Sequence, residues 1–399
     1  MGASSWHVLC DGLSHMRTLF VLFTTFVLGC SAGGEASDPM AVFDASGLGS
    51  DSARSPDGAT GDPADPDNLP DPSSYRYLCD LDPPTGAPRP TLPIFSGGAG
   101  QCPSLFHFDG VDKQARNSIM SDGVERKFIL VAPVDVVPGG EQLPVVVLWH
   151  HLGSDPDTFL KDGYLQNGVN AERFLAILPE AKGDLTFPIA GIEPEWPWMS
   201  DASEARIDEE LTFFDDMIAC VAERYGMAEH CISNGGVSAG GMWNAIVASR
   251  RSELLASTIS ISGGIEGPSW AGDMGREWSP AARKLPALVV WGGEDDKCIT
   301  VDFQASSLAL ESELANDGHF IVECVHNCGH GVPPFEDSEG ALAASPLWQY
   351  FLDHPYWLTA GNSPYRWSGM PSQFPAWCGV GAGSATVRTG MCDAPACPL

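Results

Sequence analysis

The pentapeptide Gly236-Val237-Ser238-Ala239-Gly240 constrains the fold of this chain more than any other feature. It lies between a short strand candidate, residues 231–234, and a helical-looking run, residues 242–248. A serine in this motif at such a junction predicts a tight strand–turn–helix corner that presents the hydroxyl above the edge of a sheet. Side chains on Gly236 or Gly240 would collide with a neighbouring strand or helix at such a corner. The motif therefore predicts a nucleophilic serine, provided that an acid and a base follow it.

The acid is expected in the loop after the next buried strand. Residues 285–291 form an apolar run of strand length, and the acidic segment Gly292-Gly293-Glu294-Asp295-Asp296 follows it. A carboxylate in this loop can orient a histidine and stabilise the imidazolium that forms when the histidine takes the serine proton. We predict Asp295 as the acid, with Glu294 and Asp296 as alternatives.

The base is expected after a further strand candidate, residues 320–325. That strand leads to Asn327-Cys328-Gly329-His330-Gly331. The glycines on either side favour His330 because they allow its loop to reach back over the serine. His326, at the end of the strand, is the alternative base. If it is not the base, we expect it to be a surface histidine. The order serine, acid, histidine is the one that nucleophile-elbow enzymes present along the chain.

Upstream, the apolar run 143–149 ends in His150-His151-Leu152-Gly153. The loop after this strand is expected to supply one backbone N–H to a tetrahedral oxyanion, and the residue after the nucleophile supplies the other. We therefore predict Leu152 and Ala239 as the oxyanion donors. The adjacent pair His150 and His151 has no third ligand at a defined spacing, which favours a structural role over metal binding. We predict no metal site and no cofactor.

The remaining elements predict an α/β class with a doubly wound, mostly parallel sheet. Strand candidates at 128–132, 173–179 and 257–262 alternate with helical segments. The clearest helix pattern is an apolar face at helical spacing, formed by Ile207, Leu211, Phe214, Ile218 and Val221. In such sheets the site lies at the carboxyl ends of the strands.

Four segments carry a family resemblance: residues 147–153, 236–243, 291–295 and 329–330. They resemble the polyhydroxybutyrate-depolymerase and feruloyl-esterase-like branch of the α/β hydrolases, over about residues 100–355. The resemblance implies an α/β-hydrolase fold and a secreted serine esterase with the catalytic set Ser238, Asp295 and His330. Here His151 replaces a glycine of the relatives, so the oxyanion loop is expected to differ in shape.

The resemblance also implies a substrate class. A hydroxyalkanoate polyester or oligomer is expected first, and feruloyl or acetyl esters of plant polysaccharide are the alternative. A serine peptidase and a catalytically inactive surface-binding protein are the alternatives from other classes. Candidates for a substrate pocket are His151, Trp196, Trp198 and Trp243, although a core position for Trp243 is equally compatible with the sequence.

The amino-terminal segment predicts export. Residues 1–30 have the character of a signal peptide, for which Met16 is a more natural start than Met1, and Val27-Leu28-Gly29-Cys30 resembles a bacterial lipobox. We predict lipidation of Cys30, with ordinary signal cleavage as the alternative. Residues 31–74 are predicted to form a disordered acidic tether, 75–358 the catalytic domain, and 359–399 a Cys-, Pro- and aromatic-rich extension packed on it. The expected location is extracytoplasmic, on the bacterial envelope by the lipid anchor alone, or secreted.

Cysteine usage and charge agree with this setting. Ten cysteines remain beyond Cys10 and Cys30, an even number that predicts disulfides without fixing their pairing. We expect a local Cys220–Cys231 bridge and a bridge from Cys298 to either Cys324 or Cys328. The formal charge of −31 excludes nucleic acid as a partner and suits a neutral ester, because phosphate recognition depends on Lys and Arg. The sequence predicts no oligomeric state.

Overall fold

A computed structural model describes residues 74–108, 116–162, 165–185, 194–269, 272–335, 345–392 and 397. The predicted signal peptide, Cys30 and all but the last residue of the predicted tether lie outside these residues. Within the described ranges, no helix is both long and apolar enough to cross a membrane.

Two sheets contain the strands that the structure describes. Along the chain these strands are β1 (Asn117–Ser121), β2 (Val124–Val131), β3 (Leu143–Trp149), β4 (Leu175–Pro179), β5 (Met227–Val237), β6 (Ser257–Ile261), β7 (Pro268–Ser269), β8 (Gly272–Asp273), β9 (Pro286–Trp291), β10 (Lys297–Cys298), β11 (Val301–Asp302), β12 (Phe320–Val325) and β13 (Cys378–Val380). The large sheet has the order β1-β2-β4-β3-β5-β6-β9-β12-β13, and the small one has the order β10-β11-β7-β8. The six strands from β4 to β12 in the large sheet are parallel, and β1, β2 and β13 are antiparallel additions at its edges.

The helices of the described residues are α1 (Pro156–Asp162), α2 (Leu165–Glu172), α3 (Glu204–Tyr225), α4 (Ala239–Arg250), α5 (Phe303–Asn316), α6 (Ser345–Leu352) and α7 (Tyr365–Ser368). The predicted apolar face of α3 is buried along its whole length. Its ends follow from local chemistry. Ser203 caps the amino terminus by accepting the Arg206 N–H, and Gly226, with φ 75°, ends the helix in a conformation that favours glycine.

Apolar residues of the central strands alternate between the two faces of the sheet, which explains why these strands read as continuous hydrophobic runs. In β3, Val145, Val147 and Trp149 join a core cluster with α3 and α4. Val146 and Leu148 join the cluster on the opposite face, with α2 and α6. Both faces are therefore covered by helices, and the predicted doubly wound, mostly parallel sheet is confirmed.

Five disulfides join the ten cysteines, so the predicted use of these residues is confirmed but the expected pairings are wrong. The bridges are Cys79–Cys231, Cys102–Cys220, Cys298–Cys397, Cys324–Cys378 and Cys328–Cys392. Cys220 and Cys231 each bond to the segment before β1 and not to each other. Cys298, Cys324 and Cys328 each bond to the C-terminal extension. Sequence proximity misled here because bridging needs Cα atoms within about 7 Å and converging side chains, which the fold supplies between distant segments.

The C-terminal extension is stapled to the core, as predicted, and also adds a strand. β13 pairs with β12 in antiparallel register, with Cys324 opposite Cys378, and thus covers the edge of the sheet. Trp377 is 8% exposed and its ring stacks on Phe335 with centroids 5.1 Å apart, whereas Trp367 is 42% exposed. Trp377 therefore packs on the core, and of these two tryptophans only Trp367 presents a substantial part of its surface.

Candidate active site

Ser238 occupies the predicted corner between β5 and α4. Its backbone has φ 56° and ψ −122°, a left-handed conformation that costs a non-glycine residue about 1–3 kcal/mol. A Cβ added to Gly236 would lie 2.1 Å from the Gly240 carbonyl oxygen, and a Cβ added to Gly240 would lie 2.3 Å from the Trp149 carbonyl oxygen. Both glycines are thus required by close backbone approach, as the motif predicts.

Ser238 meets a histidine and an aspartate in one hydrogen-bonded line. The Ser238 Oγ lies 2.8 Å from His330 Nε2, and His330 Nδ1 donates to Asp296 Oδ1 over 2.7 Å. Ser238, His330 and Asp296 are 7%, 9% and 0% exposed. With the Nδ1 proton held by the carboxylate, Nε2 carries the lone pair that faces the serine hydroxyl. This arrangement can remove the hydroxyl proton as the serine oxygen attacks an electrophile.

The carboxylate in this line is Asp296, so the prediction of Asp295 is wrong. A 3₁₀ turn over Gly293–Asp295 follows β9 and leaves Asp295 exposed, whereas the next residue points inward. The second oxygen of the Asp296 carboxylate, Oδ2, accepts the Gly292 N–H at 2.7 Å. The main-chain carbonyl of Asp296 accepts the N–H groups of Phe303 and Gln304, at the start of α5. Asp296 is therefore fixed by its side chain and by its backbone.

His330 rather than His326 faces the serine, as predicted. His326 is fully buried, so the expected surface position is wrong, and its Nδ1 accepts the Cys328 N–H. Burial lowers the pKa of His326 to about 4. The glycine before His330, Gly329, has φ 57°, a conformation that favours glycine. It lies against Gly292: a Cβ on Gly292 would lie 1.8 Å from the Gly329 carbonyl oxygen, and the Gly329 N–H donates to the Gly292 carbonyl. The loop that carries Asp296 (the acid loop) and the loop that carries His330 (the base loop) therefore touch at these two glycines.

The C-terminal extension supports both catalytic loops. Cys298, two residues after Asp296, is bonded to Cys397, whose N–H donates to the carbonyl oxygen of His330 at 3.3 Å. Cys328, two residues before His330, is bonded to Cys392. The acid loop and the base loop are therefore both joined covalently to the same terminal segment.

The loop predicted to complete an oxyanion hole starts beside the serine corner. Trp149 pairs with Gly236 in the register of β3 and β5, and Leu152 lies in the loop after β3. Ala239 is the first residue of α4. The pairing brings the loop that contains Leu152 to the strand end that bears Ser238, while the donor roles of Leu152 and Ala239 stay predictions.

The two histidines of that loop have structural contacts. His150 is 1% exposed, its Nδ1 lies 3.1 Å from the His151 carbonyl, and burial lowers its pKa to about 4. His151 is half-buried, with its Nδ1 2.9 Å from the Leu152 carbonyl. The contacts of His150 agree with the structural role that the sequence favoured for it, and the half-buried His151 stays a candidate pocket residue.

All three predicted pocket tryptophans are core residues, so the pocket prediction is wrong for Trp196 and Trp198, and Trp243 takes the core position that the sequence left open. Trp196, Trp198 and Trp243 are 0%, 3% and 0% exposed and belong to the cluster around α3. The rings of Trp196 and Trp243 each pack edge-on against Trp149, and Trp196 Nε1 donates to the His150 carbonyl. None of these side chains has surface left to present to a substrate.

A buried carboxyl pair lies behind the acid loop. Glu311 of α5 and Glu323 of β12 are 1% and 2% exposed, and Glu311 accepts the Nε1–H of Trp291, the last residue of β9. Glu323 accepts the Ala385 N–H from the extension. Burial, followed by the neighbouring Glu323, raises the pKa of Glu311 to about 9. Through these contacts the two carboxyl groups connect α5, β9, β12 and the C-terminal extension.

Two residues of the site were not predicted. Phe303 stacks on the imidazole of His330, and Cys397 reaches the His330 carbonyl. An Asp302 N-cap before an apolar run is a sequence signal for the start of α5, but nothing in the sequence indicates that the first residue of that helix meets the histidine. No signal in the sequence singled out Cys397 from the other cysteines.

Solved structures share this architecture. Native pOPH is 19% identical, with a TM-score of 0.55 over 71% of this chain and 98% of its own. Native sOPH is also 19% identical, with a TM-score of 0.54 over 70% of this chain and 97% of its own. The chain has the α/β-hydrolase fold.

The α/β-hydrolase fold that the sequence resemblance implied is thereby confirmed. No protein-family profile matches the sequence, and no curated protein does. At this identity the likeness carries the fold alone, so the chemistry of the α/β-hydrolase site is argued below from its own residues.

Proposed function

We propose that the protein is an extracytoplasmic serine esterase that cleaves carboxylic esters through an acyl-enzyme. The observation that carries this proposal is the line Ser238–His330–Asp296, with contacts of 2.8 and 2.7 Å between adjacent members. A nucleophile, a base within hydrogen-bond reach of it, and a buried carboxylate that orients the base are the three parts that acyl transfer requires. The α/β-hydrolase fold, which the chain shares with native pOPH and sOPH, is compatible with this chemistry.

The reaction follows from these contacts. His330 Nε2 takes the Ser238 hydroxyl proton while Oγ bonds to the ester carbonyl carbon, and the N–H groups of Leu152 and Ala239 receive the oxyanion. The tetrahedral intermediate expels the alcohol, which leaves with the proton from the imidazolium. Water then gives a proton to the same nitrogen while its oxygen attacks the acyl carbon. The Oγ–acyl bond breaks as the imidazolium returns that proton to Ser238 Oγ, and the acid is released. Asp296 holds the Nδ1 proton throughout.

A hydroxyalkanoate polyester or oligomer is the proposed substrate class, and feruloyl or acetyl esters of polysaccharide are the second candidates. The net charge of −31 favours a neutral substrate over an anionic polymer. Five disulfides favour an oxidising compartment. The lipid anchor at Cys30 belongs to the same proposal and follows from the lipobox-like sequence alone.

The test is hydrolysis of p-nitrophenyl esters with short acyl, 3-hydroxybutyryl and feruloyl groups. We expect turnover by the wild type and loss of it in Ser238→Ala. Ser262→Ala is the matched control, because Ser262 is also buried at the end of a parallel strand with positive φ, yet is not part of the triad. The acyl preference would discriminate the three ester classes.

Failure of the folded, oxidised protein to hydrolyse any ester would contradict the proposal. A fluorophosphonate probe separates the remaining alternatives. Labelling of Ser238 without ester turnover would favour a peptidase, and no labelling would favour an inactive surface-binding protein.

A further inference from the structure

The first residue of α5 contacts the base on the face of its ring. The Phe303 and His330 rings are stacked, with centroids 4.1 Å apart and planes 25° from parallel, and Phe303 is 4% exposed. The placement is defined by the start of the helix. Asp302 caps α5 by accepting the Ala305 N–H at 3.0 Å, which fixes the backbone that carries the phenyl ring.

Phe303 also holds the acid. Its N–H donates to the Asp296 carbonyl at 2.8 Å, while the Asp296 side chain reaches the Nδ1 edge of the imidazole. The base is thus held at its edge by a carboxylate and on its face by a phenyl ring. One residue sets the position of both groups.

A phenyl face has a specific electrostatic effect on an imidazole. The negative face of the ring quadrupole attracts a cation, and this attraction is stronger in a site that excludes water. Neutral imidazole gains only packing from the same stack. The contact therefore favours the imidazolium, which is the form that appears when the serine attacks.

We propose that Phe303 is a positioning residue that stabilises the protonated form of His330 and holds its ring in line with Ser238. The inference rests on the proposed function for the role of His330 as base. Other groups that face the imidazole are Asp296, Ser238 and His326, with Arg388 acting on His326 from the extension. None of these offers a π face within stacking distance of His330 among the described residues.

The experiment compares two aromatic-to-aliphatic variants, Phe303→Leu and Phe303→Met, with Phe303→Tyr, which retains the π face. Phe320→Leu is the control, because Phe320 is 1% exposed and lies at the amino end of β12, the opposite end from the site. Two quantities are measured: the midpoint of the acidic limb of kcat/KM against pH, and the NMR titration midpoint of the His330 Cε1 proton, assigned with His330→Gln.

We expect both midpoints to move down by about 0.5–1 pH unit in the Leu and Met variants, and kcat/KM at its optimum to fall about 3- to 30-fold. The Tyr variant should keep the wild-type midpoints, and the control should not move them. Unmoved midpoints in the Leu and Met variants would overturn the inference, as would an equal movement in the control. The NMR readout needs no turnover. An NMR shift without ester hydrolysis would therefore support the contact and contradict only the proposed function.

Discussion

Replacing Asp296 with Asn tests the assignment of the acid against the adjacent carboxylate. In the wild type, Oδ2 of Asp296 accepts the Gly292 N–H and Oδ1 accepts the His330 Nδ1–H, each at 2.7 Å. An amide has a single oxygen. If that oxygen keeps the hydrogen bond from the Gly292 N–H, the NH₂ group faces His330 Nδ1. Nδ1 must then act as an acceptor, so the imidazole proton moves to Nε2. The wrong nitrogen would carry the lone pair, and Ser238 would lose its base.

The opposite amide orientation would keep the correct tautomer but is disfavoured, because the NH₂ group would then face the buried Gly292 N–H and leave it without an acceptor. We therefore expect the first orientation, and with it a fall in kcat/KM of about 10⁴-fold, equivalent to about 5.4 kcal/mol of transition-state stabilisation. Asp295→Asn is the matched control, since this neighbouring side chain is exposed, and it should change kcat/KM less than about twofold. The assay is p-nitrophenyl ester hydrolysis with thermal melts to show folding. A larger loss in Asp295→Asn than in Asp296→Asn would refute the reasoning.

Three further predictions concern the support of the site. Gly292→Ala places a Cβ 1.8 Å from the Gly329 carbonyl, so urea unfolding should show a loss of about 3 kcal/mol, and kcat/KM should fall at least about 100-fold. Glu311→Gln should flatten the pH dependence of urea unfolding. The raised pKa of about 9 makes the stability of the wild type fall between pH 4.5 and 9, by up to about 1.4 kcal/mol per pH unit. Replacing both Cys298 and Cys397 with Ser should lower the free energy of unfolding by about 2–5 kcal/mol, and it should change kcat more than KM. A kcat equal to that of the wild type would contradict a supporting role of this disulfide for the site.

The sequence was sufficient to identify the serine and the histidine because glycines mark them. Gly236 and Gly240 are needed for close backbone approach around Ser238. Gly329, directly before His330, has φ 57°, a conformation that favours glycine. The acid had no such mark. Three consecutive acidic residues follow β9, and a 3₁₀ turn decides which of them points inward. An irregular turn has no side-chain period that a sequence pattern can reveal.

The long-range contacts were not predictable from sequence. Cys231 bonds to a cysteine 152 residues away, although Cys220 is its nearer neighbour in the chain. The sequence predicted a pocket position for Trp196, yet its indole packs edge-on against Trp149 in the core. In both cases the deciding information is the packing of distant elements, which composition and periodicity do not contain.

The bond from Cys397 to the acid loop has a consequence for biosynthesis. A ribosome makes Ser238, Asp296 and His330 well before the segment that holds the last two in place. A nascent chain with its triad residues already translated would still lack the covalent link between their loops. In a reducing compartment the link would stay open even after synthesis ended. Completion of the covalent links around Asp296 and His330 would thus depend on oxidation of the tail, a step separate in time from synthesis of the chain.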